Sequence, residues 1–352
     1  MNPNGPRART RRRSCLTALA LTCAIILSGC GVRLETPPPT EPVPDAAEVL
    51  RRTAVADALL VADQAESAAA ADGVRADVVV ELERISEATT EQAQELGGEY
   101  DSGLGDIVAE RPGASPSATT PEHTPRAVVA SLGDAATRTR AAADQAQSGP
   151  LGRLLASISA SQTRYAAQLA RLTGSGDPEL PLTQIPEPAE PSTEPAEGDE
   201  AAATPAAAAA GPAAIPTGLS AENLSALVLA EDTAGYALEV RAAQAAGDVR
   251  TRAYERAQLH RARAQAWALV AGVDSTDQDP RRVAYVVPGP GTTTEALARD
   301  LEVDLAQDYA SLVGIAEPGT RAILVALLTE ATLAAARWGA PAVPFPGLPE
   351  HA

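Results

Sequence analysis

The chain has 352 residues, 46 acidic side chains and 28 basic ones, every basic one an arginine, for a formal charge of −18. That balance excludes nucleic acid, which needs a basic face, and argues against close contact with anionic lipid headgroups. Cysteines occur at 15, 23 and 30 only, so an exported form that sheds the first two has no intramolecular disulfide and no cysteine redox chemistry; its fold rests on apolar burial.

The amino-terminal residues point to export. Arg11, Arg12 and Arg13 precede an apolar run from Leu16 to Leu27, which closes on Ser28-Gly29-Cys30. This is the layout of a bacterial lipoprotein signal peptide over 1–29, with Cys30 as the lipidated first residue of the exported chain. The run is shorter than the roughly 20 apolar residues of a membrane span. A diacylglycerol on Cys30 would place the protein on the outer face of the cytoplasmic membrane, and loss of five leader arginines would make it more acidic still. Arg12-Arg13 also raises twin-arginine export, but Ser14-Cys15 is a poor continuation of that motif. Residues 30–44, rich in proline, read as an extended membrane tether.

Residues 45–173 read as a helical bundle. Asp45 caps a helix to Asp72, stopped by Gly73; a second runs from Val74 to Leu96, before Gly97-Gly98. A Gly/Pro/Ser/Thr-rich loop at 98–125 leads to helices at 126–147 and 150–172. In the last of these, Leu151, Leu154, Leu155, Ile158, Tyr165, Leu169 and Leu172 recur at helical spacing and mark one apolar face. Residues 174–217, acidic and rich in proline and alanine with no apolar face, read as a disordered linker. A second bundle occupies 218–352. Its expected helices are Ala221–Ala246, capped by Ser220; Asp248 to Ala271; Thr292, in a capping box with Glu295, to Val313; and Pro318 to Trp338. An extended tail from Ala340 completes it. The fold class is therefore all-α: two helical bundles in series.

Ionisable residues fall on the apolar stripes of the second bundle. Glu231 shares a face with Leu224, Leu227, Val228 and Leu238, and His260 lies between Ala253, Ala257, Ala264 and Trp267. Glu330 aligns with Ile323, Leu327, Ala334 and Trp338, and Glu302 flanks the stripe of Leu297, Leu301, Leu305, Tyr309 and Leu312. One carboxylate from each of three helices and one imidazole from the fourth are thus expected to meet inside.

Residues 219–350 resemble a ferritin-like domain family of unknown function found in lipoproteins of GC-rich Gram-positive bacteria. The resemblance rests on Ala230-Glu231-Asp232 with Tyr236, Leu259-His260-Arg261 with Trp267, and Ala284-Tyr285 with Pro288. Leu301-Glu302, Glu330 through Arg337-Trp338, and Phe345-Pro346-Gly347 complete it. It implies a ferritin-like four-helix bundle, preceded here by a second, diverged one. Ferritin-like metal sites carry a lone Glu on two helices and Glu-x-x-His on the other two. This chain departs from the pattern, with Ala257 three residues before His260 and Leu333 three after Glu330.

Two readings of the four residues stand. In one, Glu231, His260, Glu302 and Glu330 hold a single iron, manganese or zinc ion that supports redox or oxygen chemistry. In the other, favoured because both Glu-x-x-His pairs are broken, they form a metal-free polar cluster. There His260 is protonated between carboxylates, and Arg256, Arg263 or Arg337 helps to neutralise the charge. An apolar ligand among Trp267, Trp338, Tyr236 and Tyr309 is a third possibility, weaker than plain core packing. Asp274, Asp277 and Asp279 miss the calcium-loop spacing, and Gly289-Pro290-Gly291 lacks a phosphate fingerprint. His123, His260 and His351 are too few and too scattered to suggest a Ser-His triad. With no catalytic set, no cofactor and no nucleic acid implied, the sequence points to a non-enzymatic binding or scaffolding lipoprotein. It is held to the membrane at Cys30 and presents helical surfaces to another envelope protein.

Overall fold

A computed structural model describes residues 43–101, 124–188, 214–289 and 291–351. The leader, Cys30, nearly all of the tether, His123 and linker residues 189–213 lie outside the described residues. Those described form an all-α structure without strands. Eight helices run in chain order: α1 Ala46–Ala69, α2 Ala76–Glu95, α3 Pro125–Gln145, α4 Gly149–Thr173, α5 Ala221–Gln244, α6 Gly247–Ala271, α7 Thr294–Ile315 and α8 Ala322–Arg337. They pair as α1 with α2, α3 with α4, α5 with α6 and α7 with α8. No described helix is long and apolar enough to cross a membrane.

Side-chain caps set several helix starts. Asp45, Thr124, Ser148 and Ser220 each accept a backbone N–H from the first turn of α1, α3, α4 and α5, and Ser220 with Asn223 forms a reciprocal capping box. Helix α2 begins at Ala76 rather than Val74, and three further starts differ from the sequence expectation. Helix α6 begins at Gly247, whose φ of +57° lies in the left-handed region, so Asp248 sits in the first turn rather than at the cap. For α7, Thr293 is the capping residue rather than Thr292. Helix α8 begins four residues after Pro318, because the chain there is fastened to α3 instead. Gly319 N–H donates to the Asp144 carbonyl and Arg321 N–H to the Asp144 carboxylate, both at 2.7 Å. The buried Arg321 guanidinium then donates to the carbonyls of Ala143, Ala146 and Ala316, satisfying the ends of α3 and α7.

Helix α4 is more deeply buried than its leucine stripe suggests. Every residue from Leu155 to Thr163 is buried, so this segment is covered on all sides. One side joins α1–α3; the other faces α7 and α8, and a single apolar cluster unites Leu155, Ala156 and Ile158 with Tyr309, Val313, Ile323, Leu324 and Leu327. Small residues permit the close approach: a Cβ on Gly149 would lie 2.1 Å from the Gly314 carbonyl oxygen. A second cluster, around Leu82, Ile85, Val128, Leu132 and Leu169, fills the opposite end of α1–α4.

Two non-helical segments also contribute to the packing. Residues 174–188, the first part of the expected linker, run extended, and Ile185 is buried in the shared cluster; one apolar side chain anchors a stretch whose composition suggested none. After α8, residues 340–348 cross α4. Ser157 and Ser161 hydroxyls donate to the carbonyls of Pro346 and Val343, at 2.8 and 3.0 Å, and the Gln92 amide donates to Pro344. Phe345 and Leu348 insert beside them and are 4 % exposed.

Candidate functional site: a buried ion-pair cluster

Helix α6 carries Arg256, His260, Arg263 and Trp267 at spacings of four, three and four, all on its buried face. Each neighbouring helix of the second set offers one carboxylate toward that face: Glu231 from α5, Glu302 from α7 and Glu330 from α8. Glu231, His260 and Glu302 have no exposed surface, and only the Glu330 side chain retains appreciable access, at 19 %.

His260 stands between two carboxylates. Its Nδ1 is 2.6 Å from Glu231 Oε2 and its Nε2 is 3.3 Å from Glu302 Oε1. Both ring nitrogens face carboxylate oxygens, a setting that favours the doubly protonated imidazolium. Burial opposes that charge, but Glu231 and Glu302 outweigh it and hold the His260 pKa above its ordinary value. The Arg256 guanidinium lies between the next pair. Its Nε and Nη2 donate to Glu302, and Nη1 and Nη2 donate to Glu330, the latter bonds at 2.5 and 2.9 Å. Arg263 Nη1 donates to Glu330 at 2.9 Å. Burial would raise both carboxylates, yet His260 and Arg256 draw Glu302 down, and Arg256 with Arg263 draws Glu330 down to about 2. The Tyr309 hydroxyl donates to Glu231, and burial pushes its pKa well up, so it stays a neutral donor.

Three basic side chains, all from α6, therefore meet three carboxyl groups, one from each surrounding helix, so the formal charges of this group balance. A smaller clamp flanks it. Asp232 accepts from Arg261 and from the Tyr285 hydroxyl, and Tyr285 packs edge-on against Tyr236 at 5.6 Å, fastening the 273–289 loop to α5 and α6. Gly235 leaves room for the Arg261 stem, which a Cβ would approach to 3.0 Å.

The structure thus brings Glu231, His260 and Glu302 into direct contact and reaches Glu330 only through Arg256. A metal ion does not fit this donor set. Both imidazole nitrogens are already engaged by carboxylates, Arg256 occupies the space between Glu302 and Glu330, and the basic side chains of α6 match the carboxyl groups one for one. Among the described residues, no three His, Cys, Asp or Glu side chains form a group able to hold a metal. Arg337 is exposed and takes no part in the cluster. Tyr285 and Asp232 were not expected as a functional pair; Asp232, Arg261 and Tyr285 each stand in a separate segment that carries the resemblance, and spacing alone does not connect them.

The weaker candidates also find partners. Arg281 pairs with Asp274 and Asp279 at 2.6 and 2.5 Å, so both of these carboxylates are already engaged by one guanidinium. Arg241 donates to the carbonyls of Pro288 and Gly289, fixing that turn to α5. Trp267 and Tyr309 are core residues, while Trp338 lies under the Arg252 guanidinium. Comparison with curated proteins and with solved structures returns no match for this chain. Residues 223–350, which span all of the cluster and its clamp, match the family model of a domain of unknown function, DUF4439.

Proposed function

We propose that this protein is a lipid-anchored, extracytoplasmic binding or scaffolding component of the cell envelope, tethered to the outer face of the cytoplasmic membrane through Cys30. In this reading α5–α8 form a ferritin-like bundle whose metal centre has been replaced by an ion-pair cluster, and α1–α4 are a diverged companion bundle. The observation that carries it is the closed charge balance of Arg256, His260 and Arg263 against Glu231, Glu302 and Glu330, which turns the place of chemistry in such bundles into a structural joint. With that centre closed, helical surface and membrane tethering, which raises local concentration, are what the molecule has to offer a partner.

Two measurements test the reading. Metal analysis of the full chain, produced with iron, manganese and zinc available, is expected to find well under one equivalent per chain. About one equivalent, lost in His260→Ala, would make the protein a metalloprotein and sink the scaffold proposal. In cells, crosslinking is expected to trap a discrete envelope partner with the wild-type protein and to lose it with Cys30→Ala, which would also lose lipid labelling. Absence of any partner across growth conditions would count against it.

A further inference from the structure

The tail that crosses α4 does not lie flat. Between residues 340–349, α7 and α8 it roofs a cavity of about 290 Å³, lined almost wholly by carbon. Ala306, Thr332, Ala335, Phe345 and Leu348 are its buried walls, and the Thr332 hydroxyl is occupied with the Leu328 carbonyl. At the rim Val303 and Val343 are about two-fifths exposed.

Two arginines line the same cavity, Arg164 from α4 and Arg299 from α7. Arg299 is held by its neighbour Asp300 at the surface. Arg164 is different. Its Nη2 donates to the Ala340 carbonyl at 3.1 Å, its Nε is buried without a partner, and no carboxylate pairs with it among the described residues. Its guanidinium is only part-exposed and makes no ion pair of its own, because Glu81, the acid whose charge acts on it, pairs with Arg84 at 3.3 Å instead. Burial accordingly pulls its pKa below the ordinary value. An apolar chamber with a cation that makes no direct ion pair is complementary to an apolar chain that ends in an anion. The volume lies at the low end for small-molecule sites, too small for a two-chain lipid.

We infer that the cavity beneath the carboxyl-terminal tail binds a single medium-length acyl chain bearing a free carboxylate, with the chain between α7, α8 and Phe345 and the carboxylate on Arg164. This site is separate from the ion-pair cluster and does not depend on the scaffold reading.

Titration calorimetry on the full chain carrying Cys30→Ala, with decanoate as probe and decanol as its uncharged counterpart, tests the assignment. Decanoate is expected to bind at one per chain, with decanol at least about tenfold weaker, the loss of a charged hydrogen bond. Arg164→Ala should weaken decanoate by about the same factor and leave decanol unchanged. Because Arg164 also holds the tail, the exposed rim variant Val303→Glu provides a second arm with little risk to folding. It should weaken decanoate more than decanol by setting a negative charge at the mouth. No decanoate binding, or binding indifferent to both variants, would overturn the assignment. So would capture of phosphatidylglycerol vesicles without decanoate binding, which would place a bilayer lipid there instead of a free acid.

Discussion

At the scale of single residues, the cluster ties stability to pH through groups that shift in opposite directions. Glu330 is held near 2, against an ordinary 4.5, so its contribution is complete above the ordinary value and disappears as pH falls through the held-down one. His260 is raised above its ordinary 6.5, so its contribution is complete below that value and is lost as pH rises through the raised one. The urea midpoint of the wild-type protein is therefore expected to decline on both sides of a plateau between about pH 5 and 6.5. His260→Gln should lower the plateau and abolish the alkaline limb while keeping the acid limb. A wild-type midpoint that is flat through the alkaline range would mean that His260 is neutral in the fold. The four ionisable positions were legible in the sequence because a charge on an apolar stripe breaks a helical period that composition does not disguise. That Arg256 would separate Glu302 from Glu330, rather than merely sit nearby, was not legible, since guanidinium reach is a matter of side-chain geometry.

At the scale of elements, α4 and the tail depend on each other. The hydroxyls of Ser157 and Ser161 are buried, and tail carbonyls accept from them. Phe345→Ala is expected to cost about 3–5 kcal/mol in denaturant unfolding, while Ser157→Ala should cost about 1 kcal/mol. If Phe345→Ala were as mild as the serine change, the tail would be an ornament rather than part of the core. The sequence showed one face of α4, through its leucines, and concealed the other, because Ser157, Ser159, Ser161, Gln162 and Thr163 look like a solvated side. Helix starts capped by their own sequence, at Asp45 and Ser220, were readable. The start of α8 was not, because its first N–H groups are satisfied by Asp144, 177 residues earlier at Arg321.

At the scale of the whole described molecule, the helices before and after the linker share apolar contacts through α4, Tyr309, Val313 and Ile323. They also share the Arg321 links between the ends of α3 and α7. Such coupling predicts cooperative unfolding. Calorimetry should give one transition whose calorimetric and van't Hoff enthalpies agree, and Arg321→Met should move that transition as a whole. Two resolved transitions would show that α1–α4 and α5–α8 are energetically independent despite their contacts.

The neutrality of the α6 cluster also bears on how such a bundle can change over generations. Introducing a carboxylate at Ala257, the position where a ferritin-like site has one, would bury an anion with no counterion. Removing Arg256 first would strand Glu302 and Glu330 together. Each of these single steps toward a metal centre passes through an uncompensated charge, which in a buried site costs about 3–5 kcal/mol, a large part of the 5–15 kcal/mol that a domain typically has. A change from this ion-paired interior to a metal-bound one would thus have to pass through an uncompensated charge, and the electrostatics that hold the helices together would oppose it.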